Sequence, residues 1–348
     1  MAFPTTSAAL HSVVVDRAKE RNGADGNRVA SLRTRALDAW AETGGARDAL
    51  DTEVIHDGRH SCVVRITRTG GRVTVVAKMV PHGGMALDLL LHEVVIPRLD
   101  VPSPRFLGFA DGGPDGLDVL FLEDIGDVPY VVRSIEHRRA GARWLAALHG
   151  SAALSPESSD VRVPLKGPEY FHGLLEEVQD QLCAGASSPV LDAAQASALG
   201  RLRRTLAEVE RRWDDLVTIC LAVPATIVHG AFITRNVRVV ATDRGISTIP
   251  FDWEHVAWAS PALDLARSPD FASGFAANAH LGVYRRALAR QGFPLGAADV
   301  RRLAAAGTCF RGIASMAWAS HGLTTAHPDK AVLSLEMYER CLTRALRS

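Results

Sequence analysis

The sequence predicts an α+β fold in two lobes, a small β-rich one towards the amino terminus and a larger, mainly helical one after it. Three observations carry this. Residues 53–80 alternate β-branched runs with glycine turns, nearly everything beyond Gly126 has helical spacing, and one strand-loop-strand interrupts that helical half at 225–252. With 348 residues the chain can bury a sizeable core in each lobe. The divisions expected are a helical extension over 1–50, a strand-rich lobe over 51–124 and a helical lobe over 125–348.

Taken in order, Val29, Leu32, Leu37 and Trp40 sit at helical spacing, which places a helix over 28–43. A turn at Asp57-Gly58, a run through Val63 to Thr67, a turn at Thr69-Gly70-Gly71 and a run from Val73 to Met79 read as strands. Met85 to Leu99 reads as one helix, with Glu93 among its apolar positions. Residues 117–125 (LDVLFLEDI) form another strand, ending in acidic residues. Residues 137–149 predict a helix, and Leu199, Leu202, Leu206, Val209, Trp213 and Leu216 predict a single longer amphipathic one. The last 85 residues are helical in pattern, and the chain shows no internal repeat or low-complexity tract.

Composition excludes several classes. The formal charge is +0, so no field draws the whole molecule to nucleic acid or to an anionic membrane. Arginine pairs such as Arg203-Arg204 and Arg285-Arg286 lie in helical patterns beside acidic residues, as on solvated faces. The five cysteines are scattered without CxxC spacing, which points to reduced thiols and no structural zinc. The amino terminus lacks a basic segment ahead of an apolar one, and no run approaches the ~18 apolar residues of a membrane span. A cytoplasmic protein is expected. Four lysines against 35 arginines suggest a GC-rich bacterial genome, and they make a lysine inside a strand worth notice.

That lysine is Lys78, in VTVVAK. A compact ammonium fixed in a strand suits phosphate oxygens, and Glu93 is the candidate to hold it there; alone, each also reads as an ordinary surface charge. In the second half, IVHGAFITRNV (227–237) is a strand, a tight polar loop and a second strand. Asn236, in this loop, and Asp252, in IPFDWE, are hard oxygen ligands placed beside apolar strands, a pairing that suits Mg²⁺ together with substrate phosphate. Taken singly they read as a turn residue and a strand cap. Glu254 and His255 raise a transition-metal site, but no His-x-x-x-His or cysteine ligand accompanies them.

The series VAK, a helix glutamate, LED, HGxxxxxN, DWE and a later PxxDLA resembles the aminoglycoside phosphotransferase and choline kinase-like family, over about residues 50–270. The resemblance implies a bilobal protein kinase-like fold with ATP and Mg²⁺ in its cleft and a small-molecule hydroxyl as acceptor. Residue by residue, it implies that Lys78 holds the α- and β-phosphates and Glu93 pairs with it. It implies that FLEDIG meets adenine through the backbone around Leu122, Glu123 and Asp124, and that the loop at Gly58 covers the phosphates. Asn236 and Asp252 are then the magnesium ligands, with His229 and Asp264 as structural braces.

The family's catalytic aspartate falls at position 231, where this chain has Ala231. A positioned base is worth roughly 10²–10⁴-fold, or about 3–5 kcal/mol of barrier. Neighbouring Thr234 cannot serve as a base at neutral pH, and Glu254 would need a displaced geometry. Three readings are open: a designed Asp→Ala change in an active kinase, a natural pseudokinase acting as a nucleotide-binding scaffold for a protein partner, or an acceptor acidic enough to need no base. The acceptor itself is expected to be a hydroxyl on an antibiotic, a sugar or another natural product, with a serine or threonine of a biosynthetic peptide as the alternative. Helical-lobe acidic residues are sparse beyond Glu176-Glu177 and Asp214-Asp215, so a neutral or anionic acceptor fits at least as well as a polycation.

Overall fold

The computed structural model describes residues 27–45, 50–58, 61–68, 74–112, 116–151, 163–186, 191–243, 245–267, 278–325 and 328–347. The turn expected at 69–71 lies outside them. The chain forms two compact units, one of residues 1–93 and 104–124 and the other of 94–103 and 125–348.

The first unit is a five-stranded antiparallel sheet in the order β1-β2-β3-β5-β4, made of β1 (Leu50–Asp57), β2 (Cys62–Arg68), β3 (Thr74–Pro81), β4 (Phe106–Ala110) and β5 (Leu117–Glu123). Period-two alternation sorts the side chains. Val64, Ile66, Val75, Ala77, Met79, Val119 and Phe121 form one buried face, while Val80, Leu120 and Leu122 join Met85 on another cluster. β5 is therefore apolar on both sides, as a central strand should be.

Helix α1 (residues 27–42) covers the first face with Leu32, Ala36 and Ala39, and Trp40 lies edge-on to Phe121 at 5.1 Å. The described residues before 50 thus belong to the core of the first unit and do not stand apart as an extension. Buried Arg35 serves the same packing, donating to the carbonyls of Asp111 and Leu117 at 3.1 and 3.2 Å.

The segment expected as one helix over 85–99 is three short pieces: α2 (Ala86–Leu90), a wider π-turn (Leu91–Val95) and a 3₁₀ turn (Ile96–Arg98). Pro97 has no N–H to give, so wider helical bonding cannot run through it, and the chain goes on only as the 3₁₀ turn to Arg98 before Leu99 becomes extended.

In the second unit, α3 (Ile135–His149) is capped by Ser134, whose hydroxyl accepts from the N–H of His137 at 3.3 Å. Strand β6 (Leu165–Lys166) and α4 (Pro168–Ala186) follow. The single long helix expected through Leu199 to Leu216 is two, α5 (Ala193–Arg211) and α6 (Trp213–Leu221), broken at Arg212. Asp214 and Asp215 fall in the first turn of α6, where carboxylates favour a helix start. Then come β7 (Thr226–Val228), the hairpin of β8 (Val237–Thr242) and β9 (Gly245–Pro250), β10 (Ala257–Ala259) and α7 (Ala262–Leu265). The chain closes with α8 (Leu281–Ala289), α9 (Ala297–Ser320) and α10 (Asp329–Ala345).

Helix α9 is central and packs against α4, α6, α7, α8 and α10. At Gly307 a Cβ would stand 1.8 Å from the carbonyl oxygen of Ala262, so a glycine is what lets α7 seat on α9. All five cysteines are free thiols, and no helix of the described residues is long and apolar enough to cross a membrane.

Candidate active site

The polar loop in the second unit hangs between two different sheets. Its first strand, β7, pairs with β10, and its second, β8, pairs with β9. At the turn, Gly230 has φ +73°, and a Cβ there would meet the carbonyl oxygen of His255 at 2.1 Å, so no other residue fits.

Asp264 on α7 holds the loop's backbone. Its carboxylate accepts from the N–H groups of His229 at 2.7 Å and Gly230 at 2.8 Å, and from His149 Nε2 at 3.2 Å. Burial pushes this carboxyl up, but the hydrogen bond and charge of His149, with His229, outweigh it and leave Asp264 below the ordinary carboxylate range. Tyr284, kept protonated by burial, lies 3.0 Å from His149 Nδ1 and completes the chain.

His229 fastens the rest. The N–H of Ala231 donates to its Nδ1 at 3.2 Å, so the proton is on Nε2, which donates to the carbonyl of Phe251 at 3.1 Å. Burial lowers its pKa to about 4, consistent with a neutral ring in both roles. Trp253, fully buried, packs on that ring at 4.6 Å, and Trp144 stacks on Phe232 at 5.8 Å. One imidazole therefore ties position 231 to the segment that carries Asp252.

The structure brings Asn236 and Asp252 to the same end of the β8–β9 hairpin. Val237 is paired with Pro250, and the N–H of Phe251 donates to the carbonyl of Asn236 at 2.9 Å. Asn236 is buried and its Nδ2 donates to the carbonyl of Ala231 at 3.3 Å, which leaves Oδ1 as the end suited to a cation. Asp252 has φ +65°, alone among the described non-glycine residues in the left-handed region. Such backbone is held only where the surroundings over-determine it. An amide oxygen and a carboxylate are the hard donors that Mg²⁺ takes.

Ala231 sits within this frame, 2 % exposed, with its N–H given to His229 and its carbonyl taken by Asn236. Glu254 and His255 are exposed and pair with each other at 3.3 Å. Both side chains remain about half exposed, at 53% for Glu254 and 54% for His255.

In the first unit, Lys78 departs from expectation in its partner. Its Nζ is 2.9 Å from Asp88 Oδ2, whereas Glu93 is on an exposed position. The two residues lie in different pieces of the segment, Asp88 in α2 and Glu93 in the π-turn, and it is Asp88 that is buried beside Lys78. At the end of β5, the N–H groups of Glu123 and Asp124 donate to the carbonyls of Arg105 and Thr74, at 2.9 and 3.2 Å, and Asp124 Oδ2 receives Arg65 Nε at 2.7 Å. These two amides are thus engaged by the sheet, and Leu122 is buried in it. Gly58 donates to the carbonyl of Ser61 at 2.9 Å; of the loop expected over the phosphates, residues 57–62, positions 59 and 60 lie outside the described residues.

Three residues of these networks escape a reading of the sequence: Asp88, His149 and Tyr284. Asp88 carries a signal, an acidic residue in the first turn of the helix after the lysine strand. His149 and Tyr284 carry none, because His149 meets Asp264 across 115 residues and Tyr284 across 135, and both meetings are purely tertiary.

Residues 51–304 match the sequence model of the phosphotransferase enzyme family. No curated protein matches the chain. Among solved structures, an ethanolamine kinase of Plasmodium vivax is similar with a TM-score of 0.57 at 12% identity, over 86% of this chain and 82% of its own. A choline kinase of Cryptosporidium parvum Iowa II gives 0.56 at 13%, over 92% and 94%. Spectinomycin phosphotransferase in complex with ADP and spectinomycin gives 0.55 at 12%, over 84% and 92%. At these identities the likeness is one of fold, a protein kinase-like α+β arrangement with a β-rich unit and a helical unit.

Proposed function

Because the chain belongs to the phosphotransferase enzyme family, we propose that it binds MgATP as a small-molecule kinase and that Ala231 leaves it impaired in transferring the γ-phosphate to a hydroxyl. The observation that supports this most is the hydrogen-bonded frame that holds Asn236, Asp252 and position 231 together through His229. In this reading Lys78, fixed by Asp88, meets the α- and β-phosphates, and Leu122 to Asp124 flank adenine. Gly58 belongs to the loop over the phosphates. Glu93, exposed, keeps no part in holding Lys78.

Magnesium would be held by Asn236 Oδ1 and the Asp252 carboxylate; when bound it neutralises charge on the transferring phosphate oxygens. The chain's own residues do the positioning. His229 and Asp264 brace the loop and exchange no proton with substrate. Nothing at position 231 can orient the acceptor hydroxyl or receive its proton, so the γ-phosphate meets a poorly aimed, un-ionised nucleophile.

The enclosure of Ala231 supports a second reading, a nucleotide-binding chain without turnover that acts on a protein partner. The two separate in one experiment. ADP release from MgATP is measured for this chain and for Ala231→Asp, each with a panel of sugars, antibiotics and a serine/threonine peptide, with calorimetry for MgATP alongside. The phosphotransferase reading expects acceptor-dependent turnover in the aspartate form, about 10²-fold or more above the alanine form. Tight MgATP binding with no turnover in either form leaves the binding reading; absence of MgATP binding in both removes the nucleotide assignment altogether.

A further inference from the structure

The second unit contains a pocket of about 350 Å³ where the first turns of α3, α8 and α9 meet. Three arginines line it, Arg138 from α3, Arg285 from α8 and Arg301 from α9, over an apolar floor that includes Ile135, Leu281 and Val300. Among the described residues, none that lines it is acidic. No residue of the loop at 229–236 and none of 252–264 lines it, so the pocket stands apart from the phosphotransferase reading.

The pocket is electrostatically incomplete. Three like charges converge on it, and among the described residues no carboxylate forms an ion pair with any of the three. Half-buried Arg138 is fixed at its backbone, where its carbonyl accepts from the N–H of His280 at 3.0 Å and sets α3 beside the start of α8. Two helix starts add to the same sign, since Leu281 and Gly282 open α8, Ala297 opens α9, and all three line the pocket. The nearby carboxylate of Asp299 does not compensate, being occupied with the N–H of Gly296 at 3.2 Å and with Arg302 at 4.0 Å.

We propose that this pocket binds a small oxyanion, a phosphate or carboxylate head carried on a compact apolar body. The guanidinium groups of Arg138, Arg285 and Arg301 take the head through charge-assisted hydrogen bonds. Ile135, Leu281 and Val300 take the body, and the volume limits it to a few carbon atoms beyond the head. One wall, Ala279, follows Asn278, whose Nδ2 donates to the carbonyl of Phe232 at 2.8 Å, and Phe232 is the neighbour of position 231 along the chain.

The test is calorimetric titration of the full chain with inorganic phosphate, hexanoate and hexanol at matched ionic strength, repeated on Arg138→Gln, Arg301→Gln and Lys78→Gln. Binding of phosphate, hexanoate or both is expected, weakened about tenfold or more by either arginine substitution, unchanged by Lys78→Gln and absent for hexanol. Preference for phosphate or for hexanoate then distinguishes the two head groups. The proposal is overturned if neither anion binds, if hexanol binds as well as hexanoate, or if only Lys78→Gln removes binding, which would put the anion at the nucleotide site. Should Arg138→Gln fail to fold by circular dichroism, exposed Arg301 and half-buried Arg285, each changed to glutamine, decide the matter in its place.

Discussion

Two carboxylates, one in each unit, show how differently the same group can be used. Asp88 makes an ion pair with Lys78, and their side chains keep 9% and 15% of their exposure. Asp264 is 1 % exposed and spends both oxygens on two backbone N–H groups and a histidine. The first, itself buried, spends its charge on positioning a cation. The second replaces water for a buried turn, and the loop that carries Ala231 and the Asn236 donor depends on it.

The largest expected effect tests this contrast directly. Asp264→Ala strands the N–H groups of His229 and Gly230 and should cost about 3–5 kcal/mol of stability by urea denaturation. A loss no greater than that of Asp88→Ala would remove the distinction.

Next comes pH, where the two units should behave alike. Burial lowers His229 in the second unit and His92 in the first to about 4, from an ordinary value near 6.5. Between those values the unfolded chain binds a proton that the native ring refuses. The stability contributed is therefore complete above pH 6.5 and is lost as pH falls towards 4, about 3 kcal/mol per histidine. Denaturation curves across that range should flatten for His229→Gln and for His92→Gln; a slope untouched by either change would assign the acid sensitivity elsewhere.

Lys78→Gln sharpens the comparison from the other side. It should cost less than about 2 kcal/mol of stability while weakening MgATP binding by calorimetry about tenfold or more, and gross unfolding would instead give Lys78 a core role. The smallest effect has the opposite sign. Asp252→Gly releases the left-handed backbone and should raise stability by about 1 kcal/mol while removing magnesium-dependent nucleotide binding. A drop in melting temperature would mean that contacts of the Asp252 side chain outweigh the strain.

Much of the architecture is legible in the sequence because it depends on local period. The strands around Val64 and Ala77 and the helices at 27–42 and 135–149 all come from which positions alternate and which recur every three to four residues. Period says where apolar residues recur, but a break that keeps the phase is invisible to it, and so the division at Arg212 is marked only by Asp214 and Asp215 in the turn after it. Pro97 does signal the end of the segment after Met85, whereas the π-turn before it carries no proline or glycine to mark it.

The sequence by itself determined the strand-loop-strand, the proximity of Asn236 and Asp252 across a hairpin, and the alanine in the loop between the strands. Those depend on residues near one another along the chain, where turn chemistry and strand pairing act. Only the tertiary structure decided that Lys78 takes Asp88 and not Glu93, that His229 is neutral with its proton on Nε2, and that three arginines from three helices meet around one pocket. Each of these is a contact between side chains whose rotational phase and burial are set by the packing of whole elements, and neither quantity is written in the residues that make the contact.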